Sequence, residues 1–414
     1  MPSEQIRHLP APPTQRTRPV KIARHSGTLS FVTANFSQTT PLTIGLIGPR
    51  GFGTFCTEAY HEGDAGRVVA FAGRDPALLA EAARRCGVPD TYTDWREMLR
   101  DPAIEVVHIV TPPDQHAEMA VAALEAGKHV FVEKPLATTN ADASAILAAA
   151  KKSGKLAGVN FVMRYNPIYQ AVQTIAASGW LGRLTHIGFE NYASDEGLGD
   201  DHWFWDPIAS GGIFVEHGVH FFDIIGAIAA SPAVDIVGKT WTRADGTRKE
   251  DRVQALVSYE NGIEASFYHA FNRPGALEKQ TAHFAFERGH LTLHGWIPTS
   301  LDLTAVVDDA GFAGLSSLLP VETPTDKDFG SSGRTIRGNG QEFFVSRRVT
   351  AHYSLGDPTP VYRTAVQAAL ADFAAAVRDP KHTRRVTAED GAESVRVAVA
   401  ARDSALARPV PDAG

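Results

Sequence analysis

The sequence predicts an α/β protein: an N-terminal Rossmann-type domain with a doubly wound parallel sheet, then an α+β domain with a large, open, mostly antiparallel sheet. Two observations predict this fold class. Up to about residue 160, short apolar runs alternate with helical stretches, as in βαβ units whose parallel sheet is covered on both faces. Beyond that point runs of period two dominate, which is typical of antiparallel strands with one buried face.

The N-terminal half contains four apolar runs of strand length, and helical stretches separate them. The strands are expected at LTIGLIG (42–48), RVVAFA (67–72), EVVHIV (105–110) and HVFVE (129–133), and the helices at about 53–62, 76–86, from Asp94, from Pro112 to Ala126 and over 139–153. We therefore expect residues 41–160 to form an NAD(P)-binding Rossmann domain.

The C-terminal half carries the runs of period two. They are LTHIGFEN (184–191), RVQALVSY (252–259), IEASFYHAF (263–271), TAHFAFE (281–287) and HLTLHGW (290–296). Helices are expected from Thr359 to Arg378 and over about 387–406, whereas 297–350 shows many turn residues and no helical period. Residues 161–414 are predicted to form a domain for substrate binding and oligomerisation, with a last helix able to pack back on the first domain.

The composition excludes several classes of protein. The chain has 414 residues and a net charge of −7, so no basic surface for nucleic acid is expected. No apolar run approaches the roughly 20 residues of a membrane helix. The two cysteines, Cys56 and Cys86, make no disulfide framework and suit a reducing compartment. We expect a cytoplasmic protein with a small-molecule partner.

Residues 1–40 differ from the rest of the chain. They are basic, almost free of acidic residues and rich in proline. This composition predicts a disordered tail, or an arm that orders against a partner subunit. An organellar transit peptide is acid-poor in the same way and stays open as an alternative.

The segment GPRGFG (48–53) lies between the first predicted strand and the first helix. In a dinucleotide fold this turn holds the pyrophosphate against the helix N-terminus. Gly48 and Gly53 match the G-x-G-x-x-G pattern, but Arg50 stands at the middle glycine and Gly51 follows it. The position after a strand and before a helix supports a cofactor-binding turn.

The end of the second strand distinguishes NADP from NAD. NAD-binding proteins place an acidic residue about 20 positions after the turn, where it holds the ribose 2′-hydroxyl. Here that position is Gly73, and Arg74 follows it. A guanidinium suits a 2′-phosphate, whereas Asp75 is expected to cap the helix that begins near Pro76. The sequence therefore favours NADP, with NAD as the alternative.

Three motifs resemble the glucose-fructose oxidoreductase / inositol dehydrogenase / rhizopine catabolism (Gfo/Idh/MocA) family. They are TPPDQH (111–116), AGKHVFVEKPL (126–136) and SGGIFVEHGVHFFD (210–223), and VTAEDGAESVRVAVAARDSA (386–405) is similar to the closing helix of the family. The resemblance implies an NAD(P)-dependent oxidoreductase of sugars or cyclitols. It also implies association through the open sheet face, as a homodimer or homotetramer.

Lys134, Glu216 and His220 are the predicted catalytic residues. Lys134 follows a buried strand at the carboxyl edge of the sheet, where it could stabilise a developing alkoxide. Glu216, His220 and Asp223 are spaced to share one helix face, and an imidazole suits removal of a hydroxyl proton. The resemblance places Lys134 between nicotinamide and substrate and makes His220 the acid/base. Members of the family usually have aspartate at the position of Glu216. Asp223 could orient His220, or could contact solvent or the neighbouring domain from the helix face.

The remaining site residues follow from the turn, the strand ends and the resemblance. Predicted cofactor contacts are Gly48, Arg50, Gly51, Phe52, Gly53, Arg74, Thr111, Pro112, His116, Glu133 and Lys134. Predicted substrate contacts are Lys134, Asn160, Arg164, Tyr165, Glu216 and His220, and Trp203 or Trp205 could cover a sugar face. Each tryptophan has a plain core position as its alternative.

These residues together predict hydride transfer between the nicotinamide and a carbon bearing a secondary hydroxyl or carbonyl. Two alternatives stay open: a redox-neutral NAD-dependent glycosidase of the same fold and a non-catalytic NADP-sensing protein. A metal site is considered because Glu216, His217 and His220 are close in sequence. Lys134 would then stand beside the cation, so no metal is predicted.

Overall fold

A computed structural model describes residues 40–324 and 333–408 of the chain. The tail or arm expected in residues 1–40 lies outside the described residues, apart from its last position. Within the described ranges the chain forms one six-stranded sheet, one nine-stranded sheet and one two-stranded sheet.

The N-terminal sheet is parallel throughout, with strand order β3-β2-β1-β4-β5-β6. Its strands are β1 (Leu42–Ile47), β2 (Gly66–Ala72), β3 (Asp90–Tyr92), β4 (Val106–Ile109), β5 (His129–Val132) and β6 (Ala157–Val159). Its helices are α1 (Phe52–Glu62), α2 (Pro76–Cys86), α3 (Trp95–Met98), α4 (His116–Glu125) and α5 (Asn140–Ser153). The order reverses between β1 and β4, which creates the switch point where Rossmann folds bind ligands. The predicted doubly wound sheet is confirmed.

The C-terminal sheet is mixed and mostly antiparallel, with order β14-β17-β13-β12-β11-β7-β10-β9-β8. Its strands are β7 (Leu184–Ser194), β8 (Ala233–Thr242), β9 (Glu250–Tyr259), β10 (Glu264–Arg273), β11 (Lys279–Phe286), β12 (Gly289–His294), β13 (Ser300–Val307), β14 (Val321–Glu322) and β17 (Arg347–Ser354), and β15 (Arg334–Gly338) pairs with β16 (Gln341–Val345) as a separate hairpin. The prediction of a large, mostly antiparallel sheet is confirmed, and β7 with β10 is the parallel pair within it.

Helices cover one face of this sheet and connect it to the first one. They are α6 (Pro167–Ser178), α7 (Pro207–Ser210), α8 (Val219–Ala229), α9 (Asp309–Leu318), α10 (Pro358–Arg378) and α11 (Ala388–Ala407). A π-helical turn, Phe214–Gly218, leads directly into α8. Residues 297–350, for which no element was predicted, contain β13, α9, β14, β15 and β16.

The two closing helices contact both sheets. α10 packs on α1 and β2, and α11 packs on α5 and β6 as well as on α8 and β8. Arg378 near the end of α10 forms an ion pair with Glu105, with Nη1 2.6 Å from Oε1. α11 therefore holds α5 and β6 of the first domain against α8.

The stretch Pro207–Ala229 is long and apolar enough to cross a membrane by length and composition alone. However, 83% of its most apolar window is buried inside the protein. Core helices often meet the same two criteria, and this stretch packs between the sheet and α11.

Candidate active site

A groove of about 1070 Å³ lies at the carboxyl edge of the first sheet, beside the switch point. One end is lined by the turn after β1 and by Arg74 and Asp75 after β2. The other end is lined by Lys134 and Glu216, with Trp203 from the second half of the chain. The groove therefore joins the predicted phosphate turn to two of the predicted catalytic residues.

The glycine turn allows close approach of the backbone at two positions. Gly48 has φ +90°, and a Cβ there would meet the Val110 carbonyl oxygen at 2.4 Å. A Cβ at Gly53 would meet the Gly48 carbonyl oxygen at 2.4 Å. Gly51 immediately precedes α1 with φ 48°, so Gly48 and Gly51 are the positive-φ residues of the turn and Arg50 needs no glycine. The turn has the tight cradle that a pyrophosphate requires.

The end of β2 presents an exposed guanidinium to the groove. Arg74 is exposed and lines the groove. The Asp75 carboxylate accepts hydrogen bonds from the backbone N–H groups of Ala77 (3.0 Å) and Leu78 (3.2 Å). Asp75 thus caps α2, as the sequence predicted.

Two buried histidines brace the loops at the carboxyl edge. His116 lies with Nδ1 2.7 Å from the Pro135 carbonyl oxygen and Nε2 3.0 Å from that of Thr111. His108 lies with Nε2 3.1 Å from Glu133 Oε1, and its other ring nitrogen lies 3.4 Å from the Tyr60 hydroxyl. These contacts fix the residues on both sides of Lys134.

Asn160 joins the same buried network rather than standing free. Its side-chain N–H donates to Glu133 Oε1 at 2.6 Å, and its amide oxygen is buried without a hydrogen-bond partner among the described residues.

His108 was not predicted as part of the site. A polar residue at a fully buried position of EVVHIV is the sequence signal that could have identified it.

Lys134 and Glu216 form a buried ion pair. The Lys134 ammonium donates to Glu216 Oε1 at 2.6 Å and to the Glu216 carbonyl oxygen at 2.9 Å. Their side chains are 7% and 2% exposed. Burial is the largest influence and opposes ionisation of the carboxyl, but the charge of the Lys134 ammonium, its hydrogen bond and smaller contributions such as that of His202 together outweigh it, so the pKa of Glu216 lies below its ordinary value. The π-helical turn that carries Glu216 is a feature often found at functional sites.

His220 is a buried imidazole on the first turn of α8. Neither ring nitrogen has a hydrogen-bond partner among the described residues. Its ring lies 5.2 Å from Trp296 and 6.3 Å from His217. Burial, and then the Lys134 ammonium, hold the pKa of His220 well below its ordinary value. The ring is therefore neutral near pH 7 and can accept a proton.

Arg164 and Tyr165 are not brought together with Lys134, Glu216 and His220. Arg164 donates two hydrogen bonds to the Asp223 carboxylate, at 2.8 and 2.6 Å, and one to Asp390 at 3.2 Å. The Tyr165 hydroxyl donates to Asp372 at 2.7 Å. Both side chains thus link the segment after β6 to α8, α10 and α11. The substrate contacts predicted for them are not supported by this placement.

Asp223 also differs from its sequence-based interpretation. Its carboxylate binds the Arg164 guanidinium, whereas His220 makes no hydrogen bond to any described residue. The prediction that Asp223 orients His220 is therefore wrong. The helical spacing placed the two residues on neighbouring positions, but a bidentate arginine satisfies the carboxylate instead.

The two candidate tryptophans have different surroundings. Trp203 lines the groove beside Lys134 and Glu216. Trp205 packs on Phe204, donates its indole N–H to the Leu198 carbonyl oxygen at 3.2 Å, and lies under the Arg243 guanidinium. Trp203 is therefore the tryptophan positioned to cover a substrate.

No cluster of three or more His, Cys, Asp or Glu side chains suited to a metal ion occurs within residues 40–324 and 333–408. The Lys134 ammonium contacts the Glu216 carboxylate directly.

Sequence comparison identifies the same family in both halves of the chain. Residues 42–161 match the oxidoreductase family with an NAD-binding Rossmann fold, named after Gfo, Idh and MocA. Residues 169–292 match the Gfo/Idh/MocA C-terminal domain. The two matches cover the groove, the glycine turn and all three predicted catalytic residues.

Individual relatives agree with this match. Levoglucosan dehydrogenase of Pseudarthrobacter phenanthrenivorans is 32% identical over 376 residues, covering 80% of this chain and 95% of that protein. The scyllo-inositol 2-dehydrogenase (NAD(+)) of Bacillus subtilis is 30% identical over 158 residues, or 45% of its length.

Solved structures share the fold along nearly the whole chain. A levoglucosan dehydrogenase in complex with NADH and levoglucosan has a TM-score of 0.71 at 23% identity, covering 89% of this chain and 98% of that one. An oxidoreductase domain protein from Kribbella flavida has a TM-score of 0.72 at 24% identity over 89% of this chain.

Proposed function

Because the chain belongs to the Gfo/Idh/MocA family of NAD(P)-dependent oxidoreductases, we propose that Lys134, Glu216 and His220 carry its hydride transfer on a sugar or cyclitol. The enzyme acts on CH–OH groups, as its dehydrogenase and reductase relatives do. The observation that supports these three residues is the buried Lys134–Glu216 pair at the end of the groove, with the His220 ring close by and without a partner. The expected substrate end of the groove is therefore equipped for proton transfer.

The residues of the groove fit a dinucleotide. A side chain at Gly48 or Gly53 would collide with the protein's own backbone, so the turn stays tight, and Gly51 and Phe52 at the start of α1 line the same groove. Thr111, Pro112 and Glu133, which were predicted as cofactor contacts, line the groove as well. When bound, the nicotinamide gives or accepts the hydride.

The protein side of the mechanism follows from the charges and the free ring nitrogens. The Lys134 ammonium stabilises negative charge on the substrate oxygen as its proton leaves. The neutral His220 ring accepts that proton in the oxidation direction and returns it in the reduction direction. Glu216 holds Lys134 in place, and its second carboxylate oxygen, buried without a partner among the described residues, can accept a hydrogen bond from a substrate hydroxyl.

The test of this function is the appearance of reduced nicotinamide at its near-UV absorbance band. The purified protein is mixed with NAD⁺ or NADP⁺ and a panel of levoglucosan, scyllo-inositol and aldoses. Levoglucosan comes first, because the relative matched over 95% of its length is named for it. We expect turnover of at least one neutral sugar or cyclitol. No turnover in either direction with either cofactor would contradict the proposal.

Arg74 is proposed to select NADP. Its guanidinium is exposed in the groove, and Asp75 is occupied in capping α2. Replacing Arg74 by serine removes a charge-assisted hydrogen bond to a 2′-phosphate. We expect the KM for NADP⁺ to rise roughly 10-fold while the KM for NAD⁺ stays nearly constant. Arg84→Ser, at an exposed position on α2, serves as the control, and a wild-type preference for NAD⁺ would contradict the assignment.

The buried position of His220 predicts the pH dependence of the reaction. Its pKa lies well below the ordinary 6.5 because of burial and the Lys134 ammonium. A lowered pKa keeps the proton-accepting form present at more acidic pH. We therefore expect kcat/KM for alcohol oxidation to stay level as the pH falls from 8 to about 6.5, the reference value for histidine. An acidic limb centred above this value would contradict the role of His220 as a buried base.

The oligomeric state and the cellular location of the protein are also proposals. The open outer face of the nine-stranded sheet carries the exposed Val234 on β8 and Leu256 on β9, which supports a homodimer or homotetramer formed through this face. A cytoplasmic location is proposed from the low cysteine content.

A further inference from the structure

We infer that Asn191, His269 and Gln280 form a polar row on the inner face of the nine-stranded sheet that, with His217 and Trp296, binds the hydroxyl groups of an uncharged polyhydroxylated ring. This inference rests on the proposed function and adds the residues that recognise its substrate. The row is connected through the His269 ring to His217, which follows Glu216 in the chain. It would hold the part of the substrate that does not react.

The register of three neighbouring strands brings the row together. Asn191 on β7 pairs with His269 on β10 and with Gln280 on β11. Directly paired residues of adjacent strands project to the same face of a sheet. Their neighbours on that face are apolar: Phe189 stacks on Phe221 of α8 with ring centroids 3.7 Å apart. The row is therefore a polar strip inside an otherwise apolar layer.

The row is buried and its polar atoms are unsatisfied. Asn191 and His269 are fully buried and Gln280 is 7% exposed. Both polar atoms of Asn191, both ring nitrogens of His269 and the side-chain nitrogen of Gln280 have no hydrogen-bond partner among the described residues. Buried polar atoms are nearly always paired in folded proteins. Five such atoms in one row point to a ligand that pairs with them.

Ring contacts connect the row to the catalytic residues. His217 lies 5.2 Å from His269 and 4.9 Å from Trp296, and Trp296 lies 5.2 Å from His220. His217 Nε2 and the Trp296 indole nitrogen are also buried without partners among the described residues. The unsatisfied atoms therefore continue from the row through His217 and Trp296 to His220.

The chemistry of these atoms favours hydroxyl groups over a carboxylate or phosphate. Amide, imidazole and indole groups supply both donors and acceptors, as hydroxyls require. The cation that acts on His217 and His220 within the described part of the chain is the Lys134 ammonium, already paired with Glu216. Burial lowers the pKa of His269 to about 3, so this ring is neutral. An anionic substrate would lose its hydration here without gaining a counter-ion.

The test uses two variants that preserve side-chain size, Asn191→Leu and Gln280→Met. The control is Gln341→Met, the same glutamine-to-methionine change at an exposed position of β16. The KM and kcat for levoglucosan and scyllo-inositol are measured with D-gluconate as the anionic comparison. Unfolding temperatures of the free variants are measured alongside.

We expect each variant to raise the KM for the neutral rings roughly 2- to 10-fold, as for the loss of one neutral hydrogen bond, with kcat nearly unchanged. We also expect both variants to unfold at a higher temperature than the wild type. An unsatisfied buried polar group costs stability that an apolar replacement restores. A purely structural role would move stability in the opposite direction. The control should change neither quantity.

The outcomes separate this inference from the proposed function. Turnover of neutral rings with an unchanged KM in both variants would overturn the row as a binding site, and so would a higher kcat/KM for D-gluconate than for any neutral ring. If no compound is turned over, the proposed function fails. Binding is then read from the rise in unfolding temperature that levoglucosan or scyllo-inositol gives the protein with NADH or NADPH. A rise lost in the variants supports the row, and no rise in the wild type overturns it.

Discussion

Lys134→Met is expected to lower kcat by roughly three orders of magnitude. The change removes the ammonium that stabilises charge on the substrate oxygen, and loss of one such donor typically costs about 10²- to 10³-fold. It also leaves Glu216, 1% exposed, without its counter-ion. The measurement is the single-turnover rate of reduced nicotinamide formation, with cofactor binding measured separately by fluorescence. Lys134 is itself a predicted cofactor contact, so the rate is measured at saturating cofactor, and the loss of rate should exceed any loss of cofactor affinity.

A matched control distinguishes chemistry from stability. Lys128 is a second buried lysine, beside the opposite end of β5, where its ammonium donates to the carbonyl oxygens of Asp101 and Ile104. Lys128→Met should keep kcat within a few-fold of the wild type. Adding Glu216→Gln to Lys134→Met should restore stability by removing the unpaired carboxylate, but not kcat. Wild-type kcat in Lys134→Met, or recovery of kcat in the double variant, would exclude Lys134 from the chemistry.

The parts of the fold and site predicted from sequence depend on local signals. The glycine turn, Arg74 and Lys134 each lie a few residues beyond a strand that its own apolar run identifies. Parallel strands in a Rossmann sheet end at one edge, so the strand positions alone bring these residues to one groove. Glu216 and His220 were placed together by a second local signal, because residues four positions apart lie on the same face of a helix.

The parts that sequence did not predict depend on distant partners. Arg164 and Tyr165 contact Asp390 and Asp372, which are 226 and 207 residues further along the chain. The polar row arises from the register between β7, β10 and β11, and no single strand pattern encodes that register. Strands in 297–350 were missed because turn residues interrupt their alternation. Pairing with neighbouring strands supplies the order that the local pattern lacks.

Arg164→Leu is expected to lower the free energy of unfolding by about 3–5 kcal/mol, the usual cost of breaking a buried ion pair on one side. The Arg164 side chain is 13% exposed and that of Asp223 is 1% exposed, so the remaining carboxylate has little access to water. Urea unfolding of the wild type and the variant measures the loss. The double variant Arg164→Leu, Asp223→Leu should recover much of it, because no buried charge remains.

The pH dependence of this loss identifies its cause. Burial raises the pKa of Asp223 to about 6 even beside Arg164, and removing the guanidinium raises it further. An acid whose pKa is higher in the folded state binds more protons when folded, so its contribution to stability falls as the pH rises. The loss in Arg164→Leu should therefore be smaller at pH 5 than at pH 8. An equal loss at both pH values would mean that the buried carboxylate is not responsible.

The same variant decides between the two interpretations of Arg164. A substrate contact predicts a raised KM with stability little changed, whereas an ion pair that joins α8 to α11 predicts the reverse. Because Arg164 and Asp223 satisfy each other through two hydrogen bonds, we expect the kcat and KM of folded Arg164→Leu to equal those of the wild type at a temperature well below unfolding. A KM raised 10-fold or more there would return Arg164 to the substrate site and would require that the ion pair open during catalysis.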